Sequence, residues 1–213
     1  MSKRIKVEWY FDFISPFAYL QFEKLNTLPE CAEIVFRPVL LAGLLNHWGH
    51  KGPAEIASKR KFTYRFIQWL AERENIPIRF PESHPFNPMK LLRLALLFDK
   101  DDHNAIREIF RFVWVSGKLP HDDDAWLELT HTLNEPEAGK KIQDAAIKKE
   151  LQDNGTRAIN QGVFGVPSFV INGELFWGLD ATDMVRDYLA NTRLFEVDKM
   201  RRLDAITIGA SRL

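Results

Sequence analysis

The sequence contains a single cysteine, Cys31, among 213 residues. One thiol excludes a disulfide within the chain and a metal cluster built on cysteine side chains. The sequence also lacks an excess of charge of either sign, because 29 Lys and Arg residues balance 29 Asp and Glu residues. We therefore expect no net electrostatic attraction to nucleic acid or to acidic membranes.

Long apolar runs are missing as well. The longest, residues 39–45, is much shorter than the roughly 20 apolar residues that a membrane-spanning helix needs. Near the N-terminus, Lys6, Glu8 and Asp12 interrupt the apolar residues, which argues against a secretory signal. With 46% hydrophobic and 27% charged residues, the composition is typical of a soluble protein with a folded core. These features predict a cytoplasmic protein.

The N-terminal part of the chain alternates between strand and helix patterns. Residues 5–11 and 33–40 are rich in Val, Ile, Phe and Trp and predict strands. Between them, residues 15–28 place apolar side chains at helical spacing. A strand, a helix and a second strand of this length form a βαβ unit, whose strands are parallel.

Residues 41–146 have a different character, because amphipathic helical segments follow one another without strand patterns. Pro, Gly or acidic capping residues separate these segments. We predict helices at residues 53–75, 88–98, 104–116, 122–133 and 135–155.

The strand pattern returns near the C-terminus. Residues 167–171 and 174–177 flank Asn172-Gly173, a strong hairpin signal, and a helix over residues 180–189 follows, with Asp180 or Thr182 as its N-cap. We therefore predict one α/β domain formed by residues 1–40 and 147–213, with residues 41–146 as an all-helical insertion domain. The segment after about residue 191 is expected to pack across this domain or against a second subunit.

Ser15-Pro16 directly follows the first predicted strand and opens the first predicted helix. A serine at this position typically caps the helix. A hydroxyl at a helix N-terminus can also donate a hydrogen bond to an anion, which the backbone N–H groups there favour as well. No neighbouring His-Asp pair indicates an activated serine nucleophile. Both interpretations of Ser15, as a helix cap and as a hydrogen-bond donor to an anion, stay open.

Four stretches resemble the 2-hydroxychromene-2-carboxylate isomerase family, a relative of the kappa-class glutathione transferases in the DsbA-like thioredoxin group. They are FDFISPFAYL (11–20), KRKFTYRF (59–66), HPFNPMKLLR (84–93) and GVFGVPSFVINGELFWGLD (162–180). The resemblance implies an α/β thioredoxin-like domain interrupted by an all-helical insertion domain. Such folds usually carry Cys-x-x-Cys at the first strand–helix junction. This chain has Ser15 and Ala18 there, which excludes dithiol redox chemistry.

The resemblance implies glutathione as the cofactor and Ser15 as the catalytic residue, donating a hydrogen bond to the glutathione thiolate. A thiol with a pKa of about 8.5 is only ~3% ionised at pH 7, whereas a pKa of ~6.5 makes it roughly 75% ionised. A charge-assisted hydrogen bond together with a helix N-terminus can produce such a shift. The cofactor would then supply the sulfur that the chain lacks.

The resemblance also assigns a wider ligand site. In this implied site, Val166 offers its backbone N–H and C=O beside a cis Pro167, and the Asp180 carboxylate binds the α-ammonium group of glutathione. Lys61 approaches from the insertion, and the Asn87 amide lies close to the substrate. The implied glutathione-binding residues are Ser15, Phe17, His50, Lys61, Val166, Pro167, Leu179 and Asp180.

Several of these residues also have a local explanation. Pro167 is compatible with a plain turn before a strand, Asp180 with a helix N-cap, and Lys61 with a solvated helix face. Asn87 can cap the helix that follows it. Residues 121–124, His-Asp-Asp-Asp, look like metal ligands but are typical of acidic groups at a helix start, and we expect no metal.

The sequence departs from the family pattern at three positions. Leu179 replaces a small hydroxyl or amide residue, and Ala181 replaces a frequent Arg. His50 stands where kappa-like members carry Asn or Gln. The first two changes weaken the prediction that the chain binds glutathione, and the third is compatible with a different substrate or only a different hydrogen-bond donor.

The resemblance implies a glutathione-dependent cis–trans isomerase that interconverts 2-hydroxychromene-2-carboxylate and o-hydroxybenzylidenepyruvate, or a related aromatic catabolite, by reversible thiolate addition. The expected partners are this small aromatic substrate, glutathione and a second copy of the chain in a homodimer. Two alternatives stay open. One is a kappa-class-like transferase that conjugates glutathione to electrophiles, and the other is a catalytically silent thioredoxin-like binding module.

Overall fold

The computed structural model describes residues 4–210, and within these residues a four-stranded sheet has the order β2-β1-β3-β4. The strands are β1 (Ile5–Phe11), β2 (Ala32–Pro38), β3 (Ser168–Ile171) and β4 (Glu174–Trp177). β1 and β2 are parallel, whereas β3 is antiparallel to both β1 and β4. The predicted βαβ unit and the C-terminal hairpin therefore lie in one sheet.

The helix between β1 and β2 is shorter than predicted. α1 (Pro16–Phe22) ends before a 3-10 turn at Leu25–Thr27. Pro29 follows this turn and cannot continue a helical hydrogen-bond ladder, so the chain turns here toward β2.

The helices that follow largely confirm the predicted pattern for residues 41–146. They are α2 (Leu41–Trp48), α3 (Ala57–Arg73), α4 (Met89–Ala95), α5 (His103–Trp114), α6 (Asp123–Thr132), α7 (Ala138–Lys141) and α8 (Ala145–Asn160). α2 was not predicted. The single predicted helix at residues 135–155 is in fact two, because Asp144 accepts a hydrogen bond from Ala146 N and starts α8 anew.

The hairpin at Asn172-Gly173 is confirmed. Both residues have positive φ angles, 52° and 89°, as a tight two-residue turn between antiparallel strands requires.

The prediction for the next helix was wrong in detail. α9 (Thr182–Ala190) is preceded by a 3-10 turn, Leu179–Ala181, and neither Asp180 nor Thr182 caps it. The Thr182 hydroxyl instead donates to Leu179 O.

The buried core joins the sheet to the helices that follow it. Phe110 of α5 packs against Trp9 and Phe11 of β1 and against Phe13 in the loop after it, with ring centroids 6.2, 5.7 and 4.7 Å away. The helices of residues 41–146 therefore share buried surface with the sheet. The division into domains at residues 40/41 and 146/147 stays a prediction.

The C-terminal segment packs partly against the sheet domain. Phe195 contacts Phe176 and Tyr188, whereas α10 (Asp198–Arg201) and a 3-10 turn (Arg202–Ala205) lead into a stretch in which Ile208 is 89% exposed. Contact with a second subunit stays a prediction. Across the part of the chain that the structure describes, no helix is long and apolar enough to cross a membrane.

Candidate active site

Ser15 is the N-cap of α1, as predicted. Its Oγ accepts a hydrogen bond from Ala18 N over 3.2 Å, and the residue is 6% exposed. A hydroxyl that accepts in this way still has its own hydrogen to donate. Capping the helix and donating to a bound anion are therefore compatible functions of the same side chain.

The loop before Ser15 is built around Asp12, which sequence reasoning did not select. The side chain is fully buried, and its two oxygens accept hydrogen bonds from Ile14 N (3.1 Å) and Leu41 N (2.8 Å). Burial raises the pKa of Asp12 to about 7, although both hydrogen bonds oppose this. The signal in the sequence is an acidic residue within an apolar run.

The Val166–Pro167 peptide bond is cis, as predicted. Pro167 lies close to the end of β1, because the next residue, Ser168, pairs with Tyr10. Val166 is buried, and within residues 4–210 neither its backbone N–H nor its C=O has a hydrogen-bond partner. Unpaired backbone groups before a strand suit an added peptide segment.

The turn that carries Leu179 and Asp180 is held against α1 by Gln21, a second residue that sequence reasoning missed. The Gln21 amide nitrogen donates to Gly178 O (2.9 Å) and to the Thr182 hydroxyl (3.0 Å). Its amide oxygen accepts from the Trp9 indole (2.7 Å). The feature of the sequence that could have indicated Gln21 is a polar residue on the apolar side of a short helix.

Asp180 is exposed, and its carboxylate lies over the backbone of Gly178. Gly178 has a φ angle of 92°, and a Cβ at this position would lie 2.6 Å from the Asp180 Oδ1. Glycine is therefore required both for the backbone conformation and for the space that the carboxylate occupies.

Phe17 brings α3 to the start of α1, since its ring centroid lies 6.3 Å from that of Phe66. Lys61 is exposed on α3, and no ion pair of Lys61 is found in the described part of the chain. The assignment of Lys61 to the ligand site stays a prediction.

The other two candidates are less closely connected to this group. His50 is exposed after α2, and Asn87 is exposed with its side-chain oxygen accepting from Met89 N (3.0 Å) at the start of α4. Among residues 4–210, no hydrogen bond or ion pair joins His50 or Asn87 to the other predicted site residues. Their assignment to the ligand site stays a prediction.

The acidic residues Asp122, Asp123 and Asp124 form the start of α6. The Asp122 carboxylate accepts a hydrogen bond from Ala125 N (3.0 Å) and caps α6, as predicted. Over the described range, no cluster of three or more His, Cys, Asp or Glu side chains has the arrangement of a metal site.

The parallel β1–α1–β2 unit, the antiparallel β3–β4 hairpin and the proline before β3 define a thioredoxin-like protein. Its two usual cysteine positions are occupied by Ser15 and Ala18. The chain belongs to the DsbA-like thioredoxin domain family, whose model matches residues 6–190. The α/β fold class and its helical insertion are thereby confirmed.

Individual relatives agree with this assignment. The chain is 26% identical over 189 residues to a 2-hydroxychromene-2-carboxylate isomerase of Sphingobium xenophagum, covering 86% of this chain and 97% of the relative. It is 25% identical over 211 residues to glutathione S-transferase kappa 2 of Caenorhabditis elegans, covering 89% and 94%. A solved structure of a 2-hydroxychromene-2-carboxylate isomerase superposes with a TM-score of 0.80 at 21% identity, covering 95% and 100%. The relatives thus support a glutathione-related family of isomerases and transferases.

Proposed function

We propose that the protein is a glutathione-dependent cis–trans isomerase of 2-hydroxychromene-2-carboxylate and o-hydroxybenzylidenepyruvate, or of a related aromatic catabolite. The observation that carries this proposal is the environment of Ser15. Its hydroxyl caps α1 as an acceptor and keeps a hydrogen to donate. Close to the same end of β1, Val166 offers unpaired backbone groups to a peptide-like ligand.

The residues present fit the chemistry of glutathione. Val166 N–H and C=O pair with an extended peptide as a neighbouring strand would. The Asp180 carboxylate accepts from an α-ammonium group, and the Lys61 ammonium group pairs with a carboxylate. Phe17 and Pro167 supply apolar surface beside these groups. Bound through these groups, the peptide would present its thiol to Ser15.

Bound glutathione supplies a thiolate that adds reversibly to a conjugated C=C bond and so permits rotation about that bond. Ser15 stabilises the thiolate by donating its hydroxyl hydrogen, which lowers the pKa of the thiol. Ser15 is not the nucleophile in this proposal. Within residues 4–210, no side chain accepts a hydrogen bond from its Oγ, as a general base would.

The substitution Ser15→Ala tests this function. We expect the variant to retain glutathione binding, because the other contacts are unchanged. The pKa of the bound thiol should rise by about 1–2 units, since a hydrogen bond to a charged group contributes roughly 1.5–3 kcal/mol. Ultraviolet absorbance of the thiolate against pH measures this shift. Ser116→Ala, at an exposed serine after α5, is the control.

Coincident titration curves for the wild type and Ser15→Ala would contradict the function assigned to Ser15. Activity of Ser15→Ala should fall most near neutral pH and partly recover in alkali, where the thiol ionises without help. A trapped covalent bond between substrate and Ser15 would indicate a nucleophile instead.

The similarity to a kappa-class glutathione transferase favours one alternative, conjugation of the same thiolate to an electrophile. Product analysis separates the two activities, because the isomerase leaves the amount of free glutathione unchanged and the transferase consumes it. If the wild-type protein is not retained on immobilised glutathione, the silent binding module is the better explanation, with Leu179 and Ala181 as the changes that weakened the site.

A further inference from the structure

The peptide unit between Ile14 and Ser15 is held at both ends. Ile14 O accepts a hydrogen bond from His84 Nε2 over 2.7 Å, and Ser15 N donates to Asp12 O over 3.0 Å. The plane of this peptide unit fixes the direction of the N–Cα bond of Ser15, from which its side chain projects. His84, from the segment between α3 and α4, therefore contacts the backbone directly before the candidate catalytic residue.

The preceding peptide unit is held in the same way. Phe13 O accepts from the Trp114 indole over 2.9 Å, and Ile14 N donates to the Asp12 carboxylate over 3.1 Å. Two successive peptide units before Ser15 are thus anchored through both their N–H and C=O groups. His84 and Trp114 are the two anchors that come from outside the loop.

His84 is itself fixed by Tyr64 of α3. The Tyr64 hydroxyl lies 2.6 Å from His84 Nδ1 and 2.8 Å from His84 O. A carbonyl oxygen only accepts, so Nε2 must carry the hydrogen that it donates to Ile14 O. Burial lowers the pKa of His84, which favours the neutral ring, and in the neutral Nε2–H tautomer Nδ1 only accepts. The single hydroxyl hydrogen of Tyr64 is then shared between Nδ1 and His84 O. Tyr64 thereby contacts both the ring and the backbone of His84 and holds the residue in place.

The imidazole ring has little freedom to leave this position. Its centroid lies 5.6 Å from the Trp114 ring and 5.3 Å from the Tyr64 ring, both in edge contacts. Tyr64 also lies one helical turn after Lys61 on α3. The helix that carries the predicted cation of the ligand site is thus connected through His84 to the loop that carries Ser15.

We propose that His84, held in place by Tyr64, is a positioning residue that sets the direction of the Ser15 hydroxyl through the Ile14–Ser15 peptide unit. The importance of this direction for the thiolate rests on the function proposed above. The anchoring itself does not, because it is a property of the protein without glutathione. One measurement therefore tests the anchoring of the loop without glutathione, and a second tests its effect on the thiolate.

Three variants isolate the hydrogen bond. His84→Leu removes the donor to Ile14 O, whereas His84→Gln keeps an N–H near the position of Nε2 and should rescue it. Tyr64→Phe keeps the His84 ring and removes the hydroxyl contacts to His84 Nδ1 and His84 O. His103→Leu is the matched control. His103 is also half-buried and packs on Phe36, and within residues 4–210 its ring has no hydrogen bond to the loop.

The first measurement is hydrogen exchange of the Ser15 amide in the protein without glutathione. We expect exchange to be roughly three- to tenfold faster in His84→Leu, the range that corresponds to one net hydrogen bond, and close to wild type in His84→Gln and His103→Leu. Tyr64→Phe should give a smaller increase and serves as the test if His84→Leu does not fold. Unchanged exchange in the folded variants overturns the proposal.

The second measurement is the pKa of the thiol of bound glutathione. We expect His84→Leu to raise this pKa in the wild-type background and to add nothing in the Ser15→Ala background, since His84 acts through Ser15. An equal rise in both backgrounds overturns the proposal. If the wild type binds no glutathione, the proposed function fails, and the exchange measurement alone decides whether His84 positions the Ser15 loop.

Discussion

The side-chain amide of Gln21 donates a hydrogen bond to Gly178 O over 2.9 Å and so joins α1 to the turn that carries Leu179 and Asp180. The two residues are 157 positions apart in the chain. Because the same amide also bonds Trp9 and Thr182, it is buried with all of its polar contacts made inside the protein. Gln21 therefore contributes to the spacing between Ser15 and Asp180.

Replacement of Gln21 by Leu should lower the free energy of unfolding by about 1–3 kcal/mol, because the buried Trp9 N–H and the Gly178 carbonyl lose their partner. Glutathione affinity should also fall, since the turn that carries Asp180 is no longer held against α1. Urea unfolding and a binding titration followed by tryptophan fluorescence measure the two effects. Gln152→Leu, at an exposed position on α8, should change both by little. Equal effects of the two variants would contradict this function of Gln21.

Asp180→Asn should weaken glutathione binding roughly tenfold or more. The variant keeps the shape of the side chain but loses the charge that strengthens a hydrogen bond to an ammonium group, a contribution of about 1.5–3 kcal/mol. Asp183→Asn removes an exposed carboxylate three residues later and is the control. Calorimetric titration with glutathione measures the affinity. An Asp180→Asn affinity equal to that of Asp183→Asn would rule out a contact between Asp180 and the ligand.

Lys61→Gln should weaken glutathione binding less than Asp180→Asn does. The side chain is exposed, and an exposed ion pair contributes only about 0.2–1 kcal/mol. The difference from the wild type should shrink further at high salt, because screening weakens the same pair in the wild-type protein. Lys59→Gln, on the same helix, is the matched control. A loss that is identical at low and high salt would argue against a direct ion pair between Lys61 and the ligand.

Asp12 should make the protein less stable as the pH rises from about 4 to 7. Burial raises its pKa to about 7 from an ordinary value of 3.8, so the folded form binds the proton more tightly than the unfolded chain. Between about pH 5 and about pH 8, this group alone should lower the free energy of unfolding by roughly 3 kcal/mol.

In Asp12→Asn this contribution should disappear, and the stability profile should be flatter than that of the wild type. Urea unfolding across the same pH range gives the comparison, with the exposed Asp187→Asn as the control. Parallel profiles for the wild type and Asp12→Asn would show that Asp12 keeps an ordinary pKa in the folded protein.

The features that could be predicted from the sequence depend on residues that are close together in the chain. Ser15 caps α1 through Ala18, three residues away, and Asn172-Gly173 forms a turn between adjacent strands. Helical and strand periodicity are likewise visible over a few residues, which is why the architecture was predicted well. The predicted N-cap of α9 was wrong, because the Thr182 hydroxyl donates to Leu179 O and accepts from the side-chain amide of Gln21. Gln21 is far away in the chain, so local sequence does not reveal this second contact.

By itself, the sequence determined that this protein has a strand–helix junction without cysteine, a helical insertion and a C-terminal hairpin, since local periodicity and turn chemistry are sufficient for each. Only the tertiary structure decided how the residues around Ser15 are held. Asp12 reaches the start of α2, Gln21 reaches Gly178, and His84 reaches Ile14. Asp12 and Gln21 are fully buried and His84 is half-buried, so these polar groups need partners within the protein, and the three contacts join residues 29, 157 and 70 positions apart in the chain.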